Sequence, residues 1–169
     1  MSEVVTDQVL LVANAGALMP MRAVAFEGPR IQALDDEGNE RWLAVKRIFW
    51  VSNHVLKPGE LLKPYWDGIE AISQGMDLEA LWARLPVTER GEAVDAKVLI
   101  EYLERVNSTE IRDALALAVF GNSLYFKLRQ GQILASSPEN VEAAIAKAEL
   151  KRQEELAFEE ARSWLMIRL

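Results

Sequence analysis

The chain has 169 residues, half of them apolar and 27% charged, which is typical of one medium or two small globular domains. It has no cysteine and one histidine, so disulfides, thiolate zinc sites, cysteine nucleophiles and metal sites with two imidazoles are excluded. The net charge of -7 disfavours strong nonspecific binding to nucleic acid. No apolar stretch approaches the roughly 20 residues of a membrane span, and the N-terminus is unlike a signal peptide, so we expect a cytoplasmic protein with no membrane partner.

Short strand-like runs separated by turn residues fill the first third of the chain. Val9–Val12 is a continuous apolar run suited to a buried strand, and later runs alternate or carry β-branched and aromatic residues. These later runs are Met21–Phe26, Arg30–Leu34, Glu40–Val45 and Lys46–Val51. Residues 1–58 are therefore predicted to form a small SH3-like antiparallel β-barrel, or a strongly bent sheet.

Helical periodicity follows, and then a β-hairpin. Helices are predicted at Trp66–Gln74, Leu78–Leu85, Val94–Val106 and Ser108–Gly121, the last with a capping box formed by Asn107 and Glu110. Two β-like runs then flank the turn at Gln130–Gly131. This order predicts a winged-helix domain over residues 59–136. The 108–121 helix takes the recognition-helix position, and the hairpin is the wing.

One long amphipathic helix is predicted over residues 137–169. Ser137 is the expected N-cap, and Pro138 suits the first helical position. An apolar stripe from Val141 to Ala148 is expected to cover either the winged helix or a second copy of the chain. The apolar end at Trp164 is a candidate surface for a further domain. The predicted fold class is α+β: a barrel, a winged helix and a trailing helix.

The sequence offers two candidate chemical sites, and the evidence for each is weak. Asp35, Asp36 and Glu37 offer oxygen ligands for Mg²⁺ or Ca²⁺. A single acidic loop lacks the spaced ligands of an EF-hand and a second acidic cluster, so a solvated hairpin tip is favoured. His54 is a candidate general base, because an imidazole can exchange a proton near neutral pH, but no serine or cysteine motif accompanies it. The favoured interpretation is that His54 lies in the linker between the barrel and the helices. We therefore predict no catalytic and no metal-binding residue in this chain.

Five residues are candidates for contact with nucleic acid. Lys46 and Arg47, placed on a predicted strand, and Lys127 and Arg129, placed on the predicted wing, suit phosphate contacts; the alternative is a solvated face. Trp50 ends a strand next to Arg47, and we expect it to be exposed and able to stack on a base. The other tryptophans are assigned to core packing.

The helix in the recognition position is poorly suited to reading DNA. Readout of base edges in the major groove favours Arg, Lys, Asn and Gln. Here Glu110 and Asp113 would face phosphates with the wrong sign. The winged helix is therefore interpreted as a packing or protein-contact module.

The segment Gly121–Lys127, the run Ser136–Val141 and the continuation Ala148–Gln153 carry a family resemblance. Their order, Leu-Tyr-Phe, short wing, Ser-Pro-Glu and long charged helix, resembles the N-terminal region of bacterial ribonuclease II family exoribonucleases. The chain looks most like the variants with a small barrel plus a winged helix in place of paired cold-shock domains. The resemblance implies hydrolytic, processive 3′→5′ degradation of single-stranded RNA. It places that chemistry, with Mg²⁺ and clustered aspartates, in a catalytic domain expected beyond Leu169.

Three hypotheses follow for the chain's own role. The first is a non-catalytic accessory region that guides single-stranded RNA weakly for a parent exoribonuclease. In that case, the C-terminal helix is expected to contact the catalytic domain or a protein partner. The alternative is a free-standing acidic winged-helix adaptor that binds a protein. The third is a transcriptional regulator.

Overall fold

The computed structural model describes residues 4–86, 88, 90–129 and 131–168, with residues 166–168 described as backbone only. The fold is mixed α and β, as predicted. A five-stranded antiparallel sheet has the strand order β4-β3-β2-β1-β5, so the last strand returns beside the first. Its strands are β1 (Gln8–Asn14), β2 (Ala17–Glu27), β3 (Arg30–Leu34), β4 (Glu40–Ala44) and β5 (Ile48–Val55), with a short 3₁₀ helix at Val45–Arg47 before β5.

Strand β1 is buried on both faces, which explains its continuous apolar run. Val9 and Leu11 face one hydrophobic cluster, whereas Leu10 and Val12 face another. The second cluster lies within the sheet and includes Ile31 of β3. Because side chains alternate along a strand, one strand thereby joins two cores.

Helices and a second sheet follow the first sheet. The elements are α1 (Leu62–Gln74), α2 (Leu78–Arg84), β6 (Ala93–Val94), α3 (Ala96–Tyr102), α4 (Thr109–Gly121), β7 (Phe126–Arg129), β8 (Gln132–Ala135) and α5 (Pro138–Arg168). The small sheet has the order β6-β8-β7. Its β7–β8 pair is the predicted hairpin; Gln130 of the predicted turn lies outside the described residues.

The first hydrophobic cluster joins the predicted barrel to the predicted helical domain. It contains Leu11 and Trp50 from the five-stranded sheet together with Leu99, Leu115 and Phe126 from the helices and the hairpin. Burial of this continuous apolar surface is the main stabilising contribution that holds the two parts together.

Several predicted boundaries are wrong in detail. Helix α1 begins at Leu62, before Pro64. Pro64 is tolerated there, because a proline in the first helical turn lacks only an N–H that would have no intrahelical partner. Val94 lies in β6, and Asp95 caps a shorter α3. Ser108, not Asn107, caps α4 by accepting a hydrogen bond from the Ile111 N–H, so the predicted capping box is not formed.

Helix α5 projects away from the rest of the fold. Ser137 caps it as predicted, accepting a 3.2 Å hydrogen bond from the Asn140 N–H. Val141 is buried, but every residue from 142 to 165 is exposed. Of the predicted stripe from Val141 to Ala148, only Val141 is therefore buried. Among the described helices, even this one of 31 residues lacks the apolar stretch that crossing a membrane requires.

Candidate functional site

The hairpin strand β7 presents two cations on one face. Phe126 and Leu128 point into the core, so the alternate residues Lys127 and Arg129 point outward and are exposed. Neither cation forms an ion pair within the described part of the chain. The pair is therefore free to contact an anionic ligand. This outward placement is the one predicted from the alternation of the sequence.

The tip of the hairpin is fastened to the five-stranded sheet. The Gly131 N–H donates a 2.8 Å hydrogen bond to the Phe49 carbonyl of β5. Gly131 has a φ of +82°, a conformation that glycine adopts without steric cost. The ring of Phe49 also packs edge-on against Phe120 of α4, with 5.5 Å between centroids. The cations of β7 are thus held at a fixed position relative to the sheet.

Lys46 and Arg47 do not lie on a strand, contrary to the prediction. They lie in the short 3₁₀ helix, because the chain must turn between β4 and β5. A hydrogen bond of 3.0 Å from the Val45 N–H to the Pro29 carbonyl ties this turn to the start of β3. The Arg47 guanidinium donates to the Ala13 carbonyl at 3.1 Å. The Arg47 side chain is therefore held beside the end of β1.

Trp50 is buried, so the prediction that it is exposed is wrong. Only 7% of the residue is accessible, and its indole N–H donates a 3.0 Å hydrogen bond to Asp113 of α4. The exposed tryptophan of the sheet is instead Trp42 on β4, at 41%. The Arg30 guanidinium lies over its ring, 5.5 Å from the centroid. Sequence reasoning missed Trp42, which occupies an outward position of β4 beside the inward Leu43.

Asp113 is the centre of a buried polar network. A DNA-binding α4 would have turned this residue toward phosphates, but the structure buries it. Its carboxylate accepts hydrogen bonds from the Trp50 indole, the Ser52 hydroxyl and the Tyr65 hydroxyl. Burial raises the pKa of Asp113, and these three donors oppose that rise. Burial, together with the Asp113 carboxylate, raises the pKa of Tyr65. The network joins β5, α1 and α4 through groups that are all satisfied.

His54 adds a second layer to this network. It lies on β5 and not in a linker, so that prediction is wrong. Its ring stacks on Tyr65 with 4.2 Å between centroids, and its Nε2 lies 2.8 Å from a carboxylate oxygen of Glu60. The backbone N–H of Lys57 and the His54 side chain lower the pKa of Glu60. These contacts support a role in joining β5 to α1, and they give no support to a general base acting on a substrate.

The acidic loop between β3 and β4 is ordered by one of its own carboxylates. Asp35 accepts hydrogen bonds from the backbone N–H groups of Glu37 and Asn39 at 3.0 and 2.8 Å. Burial acts to raise the pKa of Asp35, but these donors outweigh it and hold that pKa below its usual value. Asp35 is buried, although the hairpin tip was predicted to be solvated. Asp36 and Glu37 of the same tip are exposed. Within the described ranges, no group of three acidic or histidine side chains is placed to hold a metal ion.

Helix α4, in the predicted recognition position, is enclosed by its neighbours. Residues 113–116 are consecutive and all buried, which requires contacts around the whole helix. Helices α1 and α3 and strands β5 and β7 provide those contacts. Only its ends, at Glu110 and Gly121, are exposed. The helix cannot enter a DNA groove without leaving the core.

A groove of about 250 Å³ runs beside the hairpin tip. Trp50, Arg112, Gly131 and Gln132 contribute to its walls, together with residues from β6 and the start of α3. It adds one cation, Arg112, and one carboxylate, Asp95, close to the hairpin.

Comparisons with protein-family models, with curated proteins and with solved structures find no match to this chain. The geometry described above is therefore the basis on which a function can be proposed.

Proposed function

We propose that the chain is a non-catalytic accessory region of a ribonuclease II-like 3′→5′ exoribonuclease, and that it guides single-stranded RNA. The observation that carries the proposal is the pair of exposed cations, Lys127 and Arg129, on a hairpin fastened to the sheet through Gly131. Cations on a wing position a nucleic-acid backbone without reading its sequence. The groove beside the hairpin tip, with Arg112 on its wall, offers a path for the strand.

The topology of the first sheet supports an SH3-like barrel. Five antiparallel strands in the order β4-β3-β2-β1-β5, with a 3₁₀ helix just before the last strand, suit a small barrel that curves around its own cluster of apolar residues. Register shifts in the β1–β5 and β2–β3 pairs are consistent with such bending, because bulges increase local twist.

The second part supports a winged-helix assignment. The element order α2-β6-α3-α4-β7-β8 with the sheet order β6-β8-β7 places one strand between the first two helices and the hairpin after the third. The enclosed α4 weighs against duplex reading and hence against a transcriptional regulator. The β7–β8 hairpin, the predicted wing, therefore remains as the surface that contacts nucleic acid.

No residue of this chain is assigned to hydrolysis. The Mg²⁺ and the aspartates that the family resemblance implies belong, in this proposal, to a separate catalytic domain. Exposed apolar side chains on α5, including Phe158 and Trp164, suit contact with that domain or with another protein. The same residues support the alternative, an acidic adaptor that binds a protein and no RNA.

The test is a titration of the purified chain with fluorescent single-stranded RNA, with duplex DNA, and at several salt concentrations. We expect weak RNA binding that falls steeply with salt. The double variant Lys127→Glu with Arg129→Glu should weaken binding at least tenfold. Its slope against log salt should decrease by about 1.4, which is about 0.7 for each lost phosphate contact.

The matched control is Lys147→Glu with Lys151→Glu, which makes the same charge change on the exposed face of α5. It should reduce affinity far less than the wing variant. Equal losses would mean that net charge, and not the wing, determines binding. No binding at low salt would support the adaptor, and preference for one duplex sequence would support a regulator.

A further inference from the structure

Trp42 differs from the other tryptophans of the two sheets and the helices they pack against. Trp50 and Trp82 direct their indole N–H groups to Asp113 and to the Ser136 carbonyl, and Trp66 is buried in the first cluster. Trp42 instead lies on the outer face of β4, opposite Gln32 of β3. Its neighbour Leu43 supplies the core contact on the inner face. The indole is therefore not required for the core of the sheet.

Arg30 is placed to assist Trp42. It faces the same side of β3 as Gln32, two residues along, and its guanidinium lies 5.5 Å from the indole centroid. A guanidinium over an aromatic face is favourable in itself. It also leaves the N–H groups at its edge available to an anion next to the ring.

Charge is unevenly distributed along this hairpin of β3 and β4. The acidic residues 35–37 lie at its tip. Arg30 lies at the opposite end, where the Val45 N–H meets the Pro29 carbonyl at 3.0 Å, and Lys46 directly follows Val45. The Arg47 guanidinium is directed away from this end, to the Ala13 carbonyl of β1. Glu27, which pairs with Arg30, is the acidic residue of β2 at that end. Arg30 is thus the cation in contact with the exposed indole, and the nearest acidic residue on the same face of β4, Glu40, accepts a hydrogen bond from the Gln32 side chain.

We infer that Trp42 and Arg30 form a stacking site for an unpaired base of single-stranded nucleic acid. The base lies on the indole, Arg30 contacts its phosphate, and Lys46 contacts a neighbouring phosphate. An aromatic face with adjacent cations is the arrangement that binds single strands without sequence preference. The inference rests on the proposed function and adds a second contact point, separate from the wing.

The test uses the full chain with labelled rU12, dT12 and a 12-base-pair RNA duplex, followed by anisotropy. Trp42→Ala should weaken rU12 binding at least fivefold. Trp42→Phe should restore most of the affinity, because a phenyl ring also stacks. The matched control is Phe26→Ala, which removes an aromatic that is 46% exposed on the same sheet and, within the described part of the chain, has no cation over its ring. It should leave affinity unchanged.

The outcomes separate this inference from the proposed function. If the wild type binds no oligonucleotide at low salt, the proposed function fails, and this inference fails with it. If the wild type binds and the wing variant is impaired but Trp42→Ala is not, only the stacking site is overturned. Equal affinity for the RNA duplex would also overturn it, because paired bases offer no free face. Comparable binding of rU12 and dT12 is expected, since stacking does not involve the 2′-hydroxyl; binding of only rU12 would contradict simple stacking.

Discussion

Asp113 and Trp50 are joined by a 3.0 Å hydrogen bond that links α4 to β5 across 63 positions of sequence. The same carboxylate accepts from Ser52 and Tyr65, so one buried side chain connects three elements. A buried carboxylate is costly unless it is hydrogen-bonded, and here every partner comes from another element. The relative placement of β5, α1 and α4 therefore depends on this residue as well as on the hydrophobic cluster that these elements share.

Removal of the carboxylate should be strongly destabilising. Asp113→Ala leaves the Trp50 N–H and two hydroxyls without their acceptor, and we expect the free energy of unfolding to fall by about 3 kcal/mol. Asp113→Asn keeps one acceptor oxygen and should cost less. Denaturant unfolding measures both. Asp36→Ala, on the exposed hairpin tip, is the control, and a loss there as large as that of Asp113→Ala would refute the assigned role.

The network should also give stability a distinct pH dependence. Because burial raises the pKa of Asp113, the folded chain holds this proton more tightly than the unfolded chain does. The contribution is complete below the unfolded pKa of about 3.9 and is lost as pH rises through the raised folded value. Wild type should therefore lose stability relative to Asp113→Asn above about pH 4. Parallel stability curves for the two proteins from about pH 4 to 8 would contradict this.

Gly131 should resist substitution. Its φ of +82° is strained for any residue with a side chain, although a Cβ at this position would meet no atom within 4 Å. Gly131→Ala should cost about 1 kcal/mol and loosen the hairpin from Phe49. Gly121→Ala, at the end of α4, has no such conformation and should be neutral or slightly stabilising. Comparing the melting temperatures of these two variants separates the effect of backbone strain from the effect of removing a glycine.

Shortening α5 should leave the rest of the fold intact. Residues 142–165 are all exposed, so removal of residues 149–169 should change the melting temperature by only a few degrees. Val141→Ala, by contrast, removes a buried side chain and should cost about 2 kcal/mol. A large loss of stability on truncation would show that α5 folds back onto the body.

Local patterns predicted much of this fold. The apolar run of β1, the Ser137 cap of α5 and the alternation that turns Lys127 outward each depend on residues close in sequence. Asp113 and Trp50 were misassigned because their partners lie in distant elements. An aspartate on a helix and a tryptophan beside a cation each suggest exposure until tertiary contacts pair them. For β4, alternation alone did not show whether Trp42 or Leu43 faces the core.

The projecting helix also determines how the molecule moves in solution. At about 1.5 Å per residue, α5 is roughly 46 Å long, whereas a body of this size has a radius of gyration of about 14 Å. The molecule should tumble faster about the helix axis than end over end, and it should sediment more slowly than a sphere of 19.0 kDa. A partner that contacts Trp164 would lie beyond the body's own radius. Under the proposed function, α5 would then be a spacer that sets the distance between the hairpin's cations and the domain that receives the RNA.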